Sequence, residues 1–164
     1  MIEKIKNFFI QIATLGTLGN WFFGGVVSAI LAIPFLYLIQ LFYNRFPGIF
    51  HSIWLAAVLL CVVSIYMAIK EHKNSIILHK FIGVMIAFYI IPLTLKIVFS
   101  GILLFYLWDF LISFMISKHH FIFFKNQDES EPARVKQLFQ LLFPSIMSGI
   151  IVNLFLHTAL WIAS

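Results

Sequence analysis

The chain has 164 residues, a length that fits one domain. Hydrophobic residues make up 62% and charged residues 10%, where soluble domains carry about a quarter charged. That composition excludes an ordinary soluble fold and predicts an all-α, polytopic membrane bundle. The net charge of +5 does not indicate nucleic acid, because the 11 basic residues are scattered and no basic patch is interleaved with stacking aromatics. The single cysteine, Cys61, lies in an apolar run, which excludes an intramolecular disulfide and reads as inert packing.

In chain order, the basic stretch Met1 to Asn7 runs into a short apolar piece, Phe8 to Ala13, and then into Thr14-Leu-Gly-Thr-Leu-Gly-Asn20. No small-x-small cleavage site follows, so the N-terminus is read as retained, as an interfacial helix or a re-entrant loop. Five segments are then apolar enough to span a bilayer, which takes roughly 20 helical residues. They are Trp21–Tyr43, Ile49–Ile69, Phe81–Phe99, Gly101–Ser117 and Leu141–Ala163. Only Ser100-Gly101 separates the third from the fourth, so one of that pair is expected to be short, tilted or broken. Small residues at Gly24, Gly25, Ser28, Ala32, Ser148 and Gly149 suit close helix packing, Ser28 and Ala32 sharing a face. Pro34, Pro92 and Pro144 are tolerable kinks wherever neighbours satisfy the freed carbonyls.

All the basic residues except Arg45 and Lys96 fall before the first span, between the second and third, or between the fourth and fifth. The positive-inside bias therefore predicts a cytoplasmic N-terminus and a C-terminus on the opposite side. The longest polar segment, Lys118 to Gln140, is then cytoplasmic. It is expected to hold an interfacial surface around His119-His120 and Phe121–Phe124, a solvated turn at Asp128–Pro132, and a basic amphipathic piece at Arg134–Phe139.

Ionisable groups where a segment enters hydrocarbon are candidates for function by default. His79 and Lys80 stand at the mouth of the third span, inside Ser75–Leu93. Lys80 either snorkels or, with His79, donates to an anionic headgroup. Asp109 is the lone carboxylate of any span, either part of a site or a structural hydrogen bond between helices. The loop around Thr17 offers backbone amides to a phosphate, or is simply a turn. His51 and His157 fall near the opposite face, and no metal-ligand spacing accompanies His119-His120.

Together these pieces resemble the phosphatidylglycerophosphatase A family, small polytopic inner-membrane enzymes that dephosphorylate phosphatidylglycerophosphate with magnesium. Thr14 to Gly25 resembles the family's N-terminal loop, whose closing Pro-Gly-Thr reads Gly24-Gly25-Val26 here. Ala32-Ile-Pro-Phe35 with Tyr37-Leu38 resembles the segment that follows. Ser75-Ile76-Ile77 and Phe81-Ile82-Gly83 flank the family's Asp-Glu pair, replaced here by His79-Lys80. Asp109, in Tyr106-Leu-Trp-Asp109, falls on a family Asp, without the Lys-Pro-x-Pro that follows it there. Phe143-Pro-Ser-Ile-Met-Ser-Gly149 resembles a segment whose Asp-Asp pair is replaced by Pro144-Ser145.

The resemblance implies a membrane protein of phospholipid metabolism in the bacterial inner membrane, with the acidic constellation of the enzyme largely exchanged. Magnesium chemistry needs carboxylates to hold the ion. One surviving acid implies a catalytically degenerate member with no cofactor, magnesium being implied only if the family activity is retained. The expected site is a cytoplasmic-leaflet cleft with Asp109 as catalytic residue and His79, Lys80, Ser145 and Thr17 toward an anionic phospholipid headgroup. The competing expectations are a structural subunit with membrane-protein partners, and an active phosphatase with a rearranged site.

Overall fold

A computed structural model describes residues 2–16, 24–71, 76–120 and 131–163. Among them the chain is entirely helical, in the order α1 (Ile2–Thr14), α2 (Gly24–Arg45), α3 (Pro47–Lys70), α4 (Leu78–Ala87), α5 (Leu95–His120) and α6 (Glu131–Ala163). Stretches of α2, α3, α5 and α6 are long and apolar enough to cross a bilayer. The protein is an all-α, multi-pass membrane bundle.

The third expected span is not one helix. Its helical part, α4, has ten residues and a length of about 15 Å, half of a hydrocarbon core. The break falls at 88–94, ahead of the Ser100-Gly101 joint that the sequence suggested, and α5 runs straight through that joint. Pro92 supplies no N–H, and Ile90 sits at φ 60, a left-handed conformation rare for a β-branched residue. Gly101 is a packing residue: a Cβ there would fall 2.5 Å from the Phe88 ring. Thr94 starts α5 as its cap, its Oγ1 accepting from the Ile97 N–H at 3.4 Å.

A broken helix at membrane depth needs partners for its carbonyls, because lipid offers none. Two side chains from other helices provide them. Asn153 of α6 donates through Nδ2 to the Ala87 and Tyr89 carbonyls at 3.1 and 3.0 Å, and Gln40 of α2 donates to the Ile91 carbonyl at 3.0 Å. The break is thus tied to both neighbouring helices.

The core forms around α4, whose Ile82, Val84, Met85 and Ala87 are fully buried. Its closest neighbour is α6, and glycine permits the approach. A Cβ on Gly149 would lie 2.4 Å from the Gly83 carbonyl oxygen, and one on Gly83 would strike Phe105 and the Ser145 carbonyl. Ser28, Ala29 and Ala32 bury the small face of α2, and the Ser28 hydroxyl donates to the Ile77 carbonyl at 3.1 Å.

α1 packs along α3 and ends against the start of α4, where the Ile77 N–H donates to the Ala13 carbonyl at 3.2 Å. Its Ile5 and Phe8 stay exposed beside lysines, as an interfacial helix requires. The amphipathic piece expected at Arg134–Phe139 is continuous with α6, and Glu131 and Pro132, expected in a solvated turn, open that helix. Pro fits a first turn because its missing N–H would be unpaired there anyway. The rest of that turn, and Phe121–Phe124, lie outside the described residues.

Gly149→Ala is expected to lower stability by about 1–3 kcal/mol, because the carbonyl it meets belongs to backbone and cannot swing away. Gly48→Ala, where nothing lies within 4 Å, is the neutral control. Asn153→Leu removes two bonds from buried carbonyls and should cost about 1–3 kcal/mol. Thermal unfolding of the purified protein in detergent measures all three.

Candidate functional site

Three residues singled out in the sequence, from three helices, meet at the end of the bundle where α4 begins. Lys80 of α4 is ion-paired through Nζ with Asp109 Oδ2 of α5. Ser145 of α6 donates its hydroxyl to the other carboxylate oxygen, Asp109 Oδ1, at 3.0 Å. The side chains of Asp109 and Lys80 are 7% and 19% exposed, and Ser145 is fully buried.

Local geometry explains the meeting. Phe105 and Asp109, four apart on α5, share one buried face, Phe105 against Gly83 and Asp109 beside Ser145. Ser145 and Gly149 are likewise four apart on α6 and face α4, so the crossing that needs glycine also carries the serine inward. Lys80 reaches Asp109 past α2, its Cγ lying 3.7 Å from where a Gly25 Cβ would stand. Tyr106 closes the same side, its hydroxyl donating to the Gly25 carbonyl at 2.7 Å.

Both oxygens of the buried carboxylate therefore have a donor, and its charge is matched by one ammonium. A buried acid without partners would be untenable at this depth, and here it has two. The lysine does not simply snorkel, since its ammonium lies on Asp109. Magnesium, which the resemblance implies for an active enzyme, prefers six oxygen ligands at about 2.0–2.1 Å. No group of three or more histidine, cysteine or acidic side chains is gathered among the described residues. With its one carboxylate neutralised by Lys80, the cluster does not fit a divalent cation.

The other expected site residues are placed differently. His79 adjoins Lys80 in the first turn of α4, and its Nδ1 is shielded and has no hydrogen-bond partner among the described residues. Thr17 lies outside those residues. His119 and His120 form the end of α5, and His157 is exposed on α6. His51, at the opposite end of the bundle, shares a hydrogen bond of 2.6 Å with the Tyr89 hydroxyl. Sequence reasoning passed over Tyr106 and Gly25 as site neighbours. The signals were their presence in the segments that carry the resemblance and the three-residue spacing of Tyr106 from Asp109, which puts the two on nearly the same helix face.

Breaking the pair from one side leaves a buried charge without its partner. Asp109→Leu and Lys80→Met are each expected to destabilise by about 3–5 kcal/mol, and the double variant should recover most of the loss. Ser145→Ala, which removes one bond to a charged acceptor, should cost about 1.5–3 kcal/mol. A double-mutant cycle by thermal or denaturant unfolding in detergent checks the set.

Compared with family models, with curated proteins and with solved structures, the chain matches none of them, so the reading of this site rests on its chemistry.

Proposed function

We propose that the chain is a non-hydrolysing relative of the phosphatidylglycerophosphatase A family, in which a lysine–aspartate pair stands where the enzymes hold magnesium. The observation that carries this reading is the meeting of Lys80, Asp109 and Ser145 around one carboxylate. The resemblance set acids of the family at the positions of Lys80, Asp109 and Ser145, which lie far apart in sequence. Their convergence is what descent from one acidic site would produce, and it supports the resemblance independently of the apolar frame.

Phosphate-monoester hydrolysis needs a positive centre on the phosphoryl oxygens and an activated nucleophile. The carboxylate and the hydroxyl of the cluster are both committed here. Asp109 is occupied as an acceptor at both oxygens, and the Ser145 hydroxyl hydrogen is already donated to it. The Lys80 ammonium keeps two further hydrogens, and His79 has an unspent ring nitrogen. Those two side chains suit recognition of an anionic phospholipid headgroup without cleavage. Ser145 takes a supporting part, orienting Asp109 in place of contacting the headgroup. The positive-inside bias supports a cytoplasmic-leaflet position for this end of the bundle, and the resemblance implies the bacterial inner membrane.

The test is phosphate release from phosphatidylglycerophosphate by the purified protein in detergent, with and without magnesium. No release is expected from the unmodified chain, and magnesium-dependent release is expected once acids are restored together (His79→Asp, Lys80→Glu, Pro144→Asp, Ser145→Asp). Release by the unmodified protein that disappears in Asp109→Asn would overturn the proposal. Anionic phospholipid retained through purification should be lost from the His79→Ala, Lys80→Ala double variant.

A further inference from the structure

At the opposite end of the bundle the break in α4 leaves a cavity of about 130 Å³ between α2, α3 and the 88–93 segment. Its floor is buried (Leu36, Phe50 and Phe88), whereas Ile90 and Pro92 at its rim are exposed. The lining is mostly apolar and aromatic, with polar groups contributed by Gln40, Tyr43, Trp54 and Tyr89. Trp54 lines the cavity, and its Nε1 is shielded, with no hydrogen-bond partner among the described residues. Gln40, also in the lining, gives its amide hydrogen to the Ile91 carbonyl. Trp54 stands about 10 Å along α3 from its start at Pro47, close under the bundle's end.

We propose that this cavity receives the upper part of a phospholipid acyl chain, with the ester carbonyl accepting the Trp54 N–H. The physical grounds are threefold. A space of this size with mostly apolar walls takes small hydrocarbon groups, benzene in an engineered cavity near 150 Å³ being the measured case. A shielded indole N–H nearly always has an acceptor, and a lipid chain carries one acceptor at its head. The exposed rim at Ile90 and Pro92, in the connection between α4 and α5, leaves the cavity open on one side. The site is separate from the Lys80–Asp109 cluster and does not depend on the function proposed for it.

The test uses the full chain in phosphatidylcholine vesicles doped with a diester phospholipid that carries a photoactivatable diazirine near the head of one acyl chain. The diether analogue, which lacks the carbonyl, is run beside it, and adducts are mapped by mass spectrometry. Adducts are expected on the segments holding Phe50–Trp54 and Phe88–Leu93, with the diester labelling them about tenfold more, the worth of one buried hydrogen bond. Trp54→Phe keeps the shape and should erase the preference. Leu36→Trp, or Leu93→Trp if the first does not fold, should fill the space and abolish labelling there while leaving adducts elsewhere unchanged. Absence of adducts at these segments, equal labelling by the two lipids in the unmodified chain, or labelling indifferent to both fillings would overturn the proposal.

Discussion

No backbone polar group can be left unpaired in hydrocarbon, and the most buried of the described helices, α4, ends in a break there. Everything around α4 answers that constraint. Asn153 and Gln40 reach in from α6 and α2 to the carbonyls of Ala87, Tyr89 and Ile91. Gly83 and Gly149 let α6 come close enough for Asn153 to do so. Membrane helices gain little from apolar contact alone, so close approach and interhelical hydrogen bonds supply the specificity.

The same close approach has an electrostatic consequence at the other end of α4. Bringing α5 and α6 onto its first turns puts Asp109 and Ser145 beside Lys80 in a site with little access to water. In such surroundings a carboxylate persists only if its charge is matched and its oxygens are bonded. Lys80 and Ser145 meet both conditions at once. The arrangement holds three helices in register, and it also matches the one negative charge that a bound cation would need.

Class and site were legible in the sequence to different degrees. Apolar runs of spanning length identified the bundle, because a bilayer imposes one length on every crossing. The doorway at His79-Lys80 and the lone Asp109 were legible because ionisable residues are costly at that depth. The narrow separation at Ser100-Gly101 rightly signalled that one of the two adjoining spans is short or broken, but the break lies at 88–94, and Gly101 makes room for the Phe88 ring. Gln40 and Asn153 carried no signal at all, since a polar residue in a span declares only that it needs a partner.

By itself, then, the sequence determined that this is an all-α membrane bundle, roughly where its helices run, and which ionisable groups lie within them. Those properties follow from transfer of each residue between water and hydrocarbon, which is local and additive along the chain. The tertiary structure alone decided that Lys80, Asp109 and Ser145 share one carboxylate, and that the break falls at 88–94 with a cavity beneath it. Pairing depends on how helices remote in sequence cross, and the crossing is set by which backbones approach most closely.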